Sequence, residues 1–201
     1  MSKIITIAHQ KGGVGKSTLA INLALCFHGQ LSIALVDIDP QGSIVRVKDD
    51  FPDLVIISES RFQNIRQLSF DLVIVDTPPY LSNILPELFS GSDLVIVPTK
   101  AGFFDVMAIR STLVLINQAQ IKAPKLKAAI VLNMVKPRVG ITRDVIGLLA
   151  TMNISIFTTM IHDRVSIACS AITSGIINGK DEKAKKEIAS LAEEVVSYLT
   201  T

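Results

Sequence analysis

Residues 9–18 read His-Gln-Lys-Gly-Gly-Val-Gly-Lys-Ser-Thr, and this stretch decides the fold. It follows a short apolar run, residues 4–8, and precedes a segment in which Leu19, Leu23 and Phe27 recur at helical spacing. A strand, a glycine-rich turn and a helix in this order are the context of a phosphate-binding loop. Glycines let the backbone curl and point successive N–H groups inward, at the positive end of the helix, where anionic oxygens bind. The stretch therefore predicts a phosphate-binding loop.

The side chains of this loop support the same prediction. Lys16 places a cation where β- and γ-phosphates would lie, and the hydroxyl of Ser17 can ligate Mg²⁺. The common pattern G-x-x-x-x-G-K-[ST] has glycine where this chain has Gln10, and Lys11 is an additional lysine. The alternative is a glycine turn that binds no ligand. Two lysines and two hydroxyls on one glycine turn have no structural purpose without an anion, so we favour the phosphate site.

The run K-G-G-V-G-K-S at residues 11–17 is the deviant form of the Walker A loop, and here the chain resembles the ParA/MinD family of P-loop ATPases. The resemblance implies ATP and Mg²⁺ as cofactors. It also implies that Lys11 reaches across a homodimer interface to the nucleotide of the partner subunit. The nucleotide-binding residues expected from the resemblance are Gly12, Gly13, Val14, Gly15, Lys16, Ser17, Thr18 and Asn133.

A pair of acids follows the second apolar run, residues 31–36, in the string Asp37-Ile-Asp39-Pro-Gln-Gly. Acids at alternate positions of a strand end point the same way, toward the edge of an open α/β sheet where ligands bind. The string resembles the first switch of the ParA family, which implies that Asp39 orients or deprotonates the attacking water. It places Asp37 near the hydration shell of the metal. The alternative is a turn that caps a helix starting near Ser43.

A third apolar run, which begins at Phe70, ends in Asp76 and is followed by Thr-Pro-Pro. An apolar strand that ends in aspartate is the Walker B arrangement, in which the carboxylate holds Mg²⁺ directly or through water. The run D-T-P-P resembles the second switch of the family. The predicted metal ligands are Ser17, Asp37 and Asp76, and the predicted catalytic residues are Lys11, Lys16 and Asp39.

Asn133 follows another apolar run, residues 128–132. It resembles the asparagine with which the family recognises adenine, since an amide both donates and accepts. The T/N-K-x-D motif of guanine-selective proteins is absent, because the chain continues Met134-Val135-Lys136. These observations favour ATP over GTP. A plain turn asparagine is the alternative.

Length and composition suit one α/β domain over residues 1–201. The resemblance implies a P-loop NTPase with a single doubly wound, mainly parallel sheet of about seven strands and helices on both faces. We expect no N-terminal helix-turn-helix. Cys26 and Cys169 show no C-x-x-C spacing, so we expect reduced thiols and a cytoplasmic protein. The resemblance implies that this protein associates with the nucleoid. We expect no cleavable signal, and no apolar run approaches the ~20 residues that span a bilayer.

Charge is unevenly distributed along the chain. Residues 1–100 hold 8 Lys and Arg against 10 Asp and Glu, whereas residues 101–201 hold 12 against 8. A basic second half is compatible with nucleic-acid contact. The candidate DNA-binding residues are Lys122, Lys125, Lys180, Lys183, Lys185 and Lys186. Six phosphate contacts per dimer predict a log–log salt slope of about −5.

The resemblance implies a small ParA-type partition ATPase. Such a protein forms a homodimer with ATP, binds DNA without sequence preference, turns over slowly alone and is stimulated by a ParB-like centromere-binding or adaptor protein. A MinD-like or microcompartment-positioning ATPase that acts on a membrane or protein scaffold is the alternative, and a metabolic ATP-dependent ligase of the dethiobiotin synthetase type is a third. The last helical pattern, residues 181–199, carries Glu193 and Glu194 among its apolar residues, which disfavours membrane attachment.

Overall fold

The computed structural model describes residues 2–59, 61–136 and 141–200. Within these residues, seven parallel strands form one sheet in the order β3-β2-β4-β1-β5-β6-β7. The strands are β1 (Lys3–Ile7), β2 (Ile33–Asp37), β3 (Val55–Ser58), β4 (Leu72–Asp76), β5 (Leu94–Thr99), β6 (Lys127–Leu132) and β7 (Ser155–Ile156). This confirms the predicted doubly wound sheet.

Helices cover both faces of this sheet. The α-helices are α1 (Lys16–Phe27), α2 (Phe62–Arg66), α3 (Leu85–Gly91), α4 (Phe103–Lys122), α5 (Ile141–Ala150), α6 (Val165–Ala168) and α7 (Glu182–Thr200), and 3₁₀ turns span Val45–Asp50 and Ser170–Ile172. The residues of β1 alternate between two cores: Ile5 and Ile7 pack with α1 and α7, whereas Ile4 packs with α3, α4 and α5. Burial of both strand faces explains why the strands are nearly continuous apolar runs.

Some expected boundaries differ from the structure. The helix expected to start near Ser43 is a 3₁₀ turn that begins at Val45, because backbone N–H groups there are held by an aspartate side chain. Pro86 lies in the first turn of α3, where its missing N–H costs no hydrogen bond. Residues 165–172 form α6 followed by a 3₁₀ turn.

The C-terminal helix packs on the sheet, as predicted. Ile188, Leu191 and Val195 are buried in the core that also contains α1. Asp181 caps the helix, since its Oδ1 accepts the N–H of Ala184 at 3.1 Å. No helix among the described residues is long and apolar enough to cross a membrane.

Candidate active site

Four chain segments converge where parallel strands end. The loop after β1 leads into α1, β2 ends at Asp37, β4 ends at Asp76, and Asn133 follows β6. Asp37 and Asp76 are register partners on adjacent strands, and Asp76 is also the register partner of Ile7 at the end of β1. The carboxyl edge of the sheet therefore brings together residues that lie more than 120 positions apart in the chain. Ligands bind at this edge in open α/β sheets.

The loop before α1 depends on its glycines. Gly13 and Gly15 have φ angles of 68° and 88°, in the left-handed region that side chains rarely adopt. A Cβ atom on Gly15 would also collide with the amide nitrogen of Asn133. That amide nitrogen donates a hydrogen bond to the carbonyl oxygen of Val14 at 2.8 Å, and this contact holds the loop in place. The loop is thus held by the tip of β6 as well as by its own backbone.

Lys16 is a buried cation at the start of α1. The residue is 7% exposed, and its Nζ lies 3.4 Å from the carbonyl oxygen of Lys11, with no ion pair to Lys16 among the described residues. Burial lowers the pKa of Lys16, and the negative charges of Asp76 and Asp39 oppose this effect. A bound anion would stabilise the charged form, so the site is suited to phosphate oxygens.

The carboxylate of Asp76 is suited to bind a cation. Its Oδ2 accepts a hydrogen bond from the Ser17 hydroxyl at 2.6 Å, while its Oδ1 is buried and has no hydrogen-bond partner in the described part of the chain. Burial raises the pKa of Asp76; the Ser17 hydrogen bond opposes this effect, and the nearby charge of Asp37 adds to it. A buried carboxylate oxygen without a partner costs free energy that a divalent cation would recover.

The two acids of the D-x-D string have local partners. Asp37 accepts the N–H of Asp39 at 3.0 Å with one carboxylate oxygen, and those of Ile44 and Val45 at 2.9 and 3.2 Å with the other. Asp39 accepts the N–H of Gln41 at 2.9 Å. Asp37 therefore shapes the loop of residues 38–45, and its role at the metal stays a prediction. Both the functional role and the capping turn that the sequence left open fit the position of Asp39.

Lys11 has a partner that the sequence did not indicate. Its Nζ lies 2.6 Å from Oδ1 of Asp105 in the first turn of α4, with the two side chains 41% and 14% exposed. The neighbouring Gln10 donates from Nε2 to the carbonyl oxygen of Ala108 at 2.7 Å. Ninety-four residues separate Lys11 from Asp105, and the only sequence signal was an acid at the start of a helix that follows a strand.

His9 also has a role that spacing alone did not reveal. Its ring is 1% exposed, and Nδ1 accepts the backbone N–H of Lys11 at 2.9 Å, so the neutral ring carries its proton on Nε2. Burial lowers the pKa of His9 to about 4, and the charge of Lys16 adds to this effect. The histidine is thus a neutral part of the loop.

Asn133 is buried, 2% exposed, and its Oδ1 has no hydrogen-bond partner among the described residues. Because its amide N–H₂ group contacts Val14, adenine recognition would require this side chain to share or leave that contact. The adenine assignment stays a prediction.

The six candidate DNA-binding lysines lie in two groups. Lys122 and Lys125 lie at the amino edge of the sheet, since β6 begins just beyond them. Lys180 lies just before α7, and Lys183, Lys185 and Lys186 lie in its first turns. Arg164 holds this end of α7 near the carboxyl edge through an ion pair to Glu187 at 2.7 Å. Residues just before Arg164 contact the end of β6. The six residues of β6, about 20 Å, separate the two groups.

The site combines a glycine loop at a helix N-terminus with a buried lysine and with two acids at the ends of adjacent strands. These features define a P-loop nucleotide-binding protein. The profile of the CobQ/CobB/MinD/ParA nucleotide-binding domain matches residues 5–174. The chain belongs to this family and is a P-loop ATPase.

Known proteins similar to this chain support the same grouping. The maintenance of carboxysome distribution protein A of Halothiobacillus neapolitanus is 28% identical over 96% of this chain and 95% of its own length. The sporulation initiation inhibitor protein Soj of Bacillus subtilis is 24% identical over 73% of this chain and 78% of its own. A plasmid partition protein of Borrelia burgdorferi, solved with AMPPNP, superposes with a TM-score of 0.80 at 20% identity, over 98% and 99% of the two chains.

The residues present fit ATP and Mg²⁺. The inward-facing loop and Lys16 would hold the phosphates, while Ser17 and Asp76, with its unpartnered Oδ1, would hold the metal. When bound, Mg²⁺ neutralises charge that develops on the transferred phosphoryl group.

Proposed function

We propose that the protein is a ParA-type positioning ATPase that forms a homodimer with ATP, binds DNA without sequence preference and separates after hydrolysis. In this cycle a cargo-bound adaptor protein stimulates turnover. The family membership and the similarity to Soj and to the Borrelia partition protein support this proposal.

The position of Lys11 carries the proposal. Lys16 already supplies a buried cation to the phosphate site, whereas Lys11 is 41% exposed and is held away from that site by Asp105. A second cation at the rim of a phosphate loop, partly exposed and paired outside the loop, is suited to serve a nucleotide other than its own. We infer that it serves the nucleotide of a second copy of this chain.

Hydrolysis in this proposal depends on positioning. Asp39 is partly exposed at the site, and its charge acts on both Lys16 and Asp76. A carboxylate there orients a water for attack on the γ-phosphoryl group, and positioning is the larger contribution expected of it. The chain supplies no arginine to this site among the contacts described above, which fits slow turnover without a partner.

The proposed DNA surface is the α7 group, which lies at the same edge as the nucleotide site. Lys180, Lys183 and Lys186 are exposed, and Lys185 is partly engaged by Glu182 at 3.0 Å. A dimer closed over the nucleotides can place two such groups on one side. Lys122 and Lys125 lie at the far edge and are the less favoured candidates.

The carboxysome-distribution relative supports a second candidate, a microcompartment-positioning ATPase whose cargo is a protein shell. That relative matches almost the whole chain at 28% identity. Direct membrane attachment is less favoured, because Ile188, Leu191 and Val195 of α7 are buried against α1 and the sheet and are not available to a bilayer.

The experiment is analytical ultracentrifugation with ATP and Mg²⁺, using the Asp39→Ala variant to block hydrolysis. We expect a stable dimer that turns over ATP poorly, and DNA binding by fluorescence anisotropy only when ATP is present. A monomer at saturating ATP and Mg²⁺ would overturn the proposal. Asp39→Ala turnover equal to that of the parent would refute the water-positioning assignment.

Cargo class is tested separately. Co-sedimentation with DNA and with liposomes, each with and without ATP, distinguishes a nucleoid-bound motor from a membrane-bound one. Stimulation of ATP turnover by the product of the neighbouring gene then tests the adaptor. Stimulation that requires DNA supports the partition or microcompartment cycle, whereas stimulation that requires liposomes would contradict it.

A further inference from the structure

Gln10 occupies the loop position at which the common phosphate-loop pattern has glycine, and its side chain contacts α4. Its Nε2 donates to the carbonyl oxygen of Ala108 at 2.7 Å, across 98 residues of chain. Ala108 lies inside α4, so its carbonyl also accepts a helical N–H, and Gln10 uses the second lone pair. This contact has no part in binding phosphate.

The next residue contacts the same part of α4. Lys11 pairs with Asp105, and Asp105 and Ala108 are three residues apart, on one face of the helix. The imidazole of His9 holds the backbone N–H of Lys11 at 2.9 Å. Three consecutive side chains therefore fix this end of the loop, and two of them bind it to one turn of α4.

We propose that Gln10 is a positioning residue that keeps the side chain of Lys11 paired with Asp105 of the same protomer, a state that we call storage of Lys11. The hydrogen bond to Ala108 holds the loop against α4, and the ammonium group of Lys11 then stays within reach of Asp105. Lys11 must leave Asp105 before it can serve the nucleotide of a second copy. This inference rests on the proposed function for the destination of Lys11, but the storage itself is a property of the single chain.

Loss of the Gln10 hydrogen bond should make dimer formation easier. Loss of the Gln10 hydrogen bond weakens storage, so Lys11 is released more often and a larger fraction of monomers is competent to dimerise. One hydrogen bond between neutral groups changes such an equilibrium by about threefold to tenfold. The variant dimer should therefore form at lower protein concentration than the parent dimer.

The direct test measures the reactivity of Lys11 in the nucleotide-free full chain. Lysines are acetylated with N-hydroxysuccinimidyl acetate, and the rate at each site is read by mass spectrometry. Gln10→Ala and Gln10→Leu, which remove the Nε2 donor without adding a charge beside Lys11, should raise the rate at Lys11 by about threefold or more. The matched control is Gln30→Ala, at an exposed turn on the other edge of the sheet, which should leave the rate unchanged.

Asp105→Asn provides the reference for a released Lys11, and the exposed Lys122 provides an internal standard in every sample. A Lys11 rate that rises in Asp105→Asn but not in the Gln10 variants would overturn the inference. Because no dimer is needed, this result is independent of the proposed function.

A second measurement follows the dimer with AMPPNP and Mg²⁺ by sedimentation. Gln10→Ala should lower the dimer dissociation constant by about tenfold to a hundredfold, because each of the two protomers must release one Lys11. A weaker dimer would mean that Gln10 belongs to the interface, and the inference would be wrong. Absence of any dimer in the parent would refute the proposed function, while the acetylation rates would still decide the role of Gln10.

Discussion

Acidification should destabilise the nucleotide-free protein through a single histidine in the phosphate loop. His9 is almost fully buried, and its Nδ1 accepts the N–H of Lys11. Protonation would replace this acceptor by a donor and would place a cation beside Lys16. Burial, with the charge of Lys16, lowers the pKa of His9 from 6.5 to about 4.

The pKa shift fixes the sign and the window of the effect. Between about pH 4 and pH 6.5 the unfolded chain binds a proton at this position and the folded chain does not. The contribution of His9 to the free energy of unfolding therefore rises with pH across that window and is lost as pH falls through it. The raised pKa of Asp76 contributes with the opposite sign, so the His9 contribution is read from the difference between the parent and a variant at position 9. A shift from 6.5 to about 4 corresponds to about 3 kcal/mol when the whole window is crossed.

The assay is urea denaturation of the nucleotide-free chain below and above this window, for the parent and for His9→Asn. The asparagine Oδ1 can accept the same N–H but does not titrate, so the variant should lose about 2–3 kcal/mol of the pH dependence. His28→Asn, at an exposed turn, is the matched control. Equal pH dependence in the parent and His9→Asn would refute the reasoning.

Three further comparisons between variants test the site and the fold. Lys16→Ala should abolish binding of a fluorescent ATP analogue, because the phosphates lose their buried counter-charge, whereas Lys11→Ala should leave monomer binding intact. Gly15→Ala should lower the free energy of unfolding by more than Gly29→Ala does in a urea titration. Both glycines have left-handed φ angles, which cost an alanine about 1–2 kcal/mol. Only the Cβ atom at position 15 would also collide with another side chain, that of Asn133. Leu191→Ala, in the buried face of α7, should lower the unfolding free energy by about 2–5 kcal/mol.

Each of these has an outcome that contradicts it. Equal losses of analogue binding in Lys16→Ala and Lys11→Ala would remove the distinction between the two lysines. Equal destabilisation in the two glycine variants would show that the contact with Asn133 is absent in solution. Val196→Ala, on the exposed side of α7, is the control for Leu191→Ala, and an equal effect there would contradict the packing of the helix.

The sequence predicted the elements whose cause is local. Glycines mark the positive-φ positions of the loop, apolar runs mark strands buried on both faces, and an acid at a run's end marks the ligand edge of a parallel sheet. These local rules are sufficient to assign Lys16, Ser17 and Asp76 to one site. The structure has 3₁₀ turns at residues 45–50 and 170–172, and at the first of them the side chain of Asp37 accepts the backbone N–H of Ile44.

The phosphate loop, the order along the chain of the apolar runs that end in acids, and the family could be read from the sequence alone, because each follows from a few adjacent residues and their spacing. Only the tertiary structure decided that Asp105 holds Lys11, that Asn133 holds Val14, and that the six lysines lie at opposite edges of the sheet. These facts depend on which strand ends meet and on how side chains 94 or 119 residues apart are oriented. No local pattern encodes such distances.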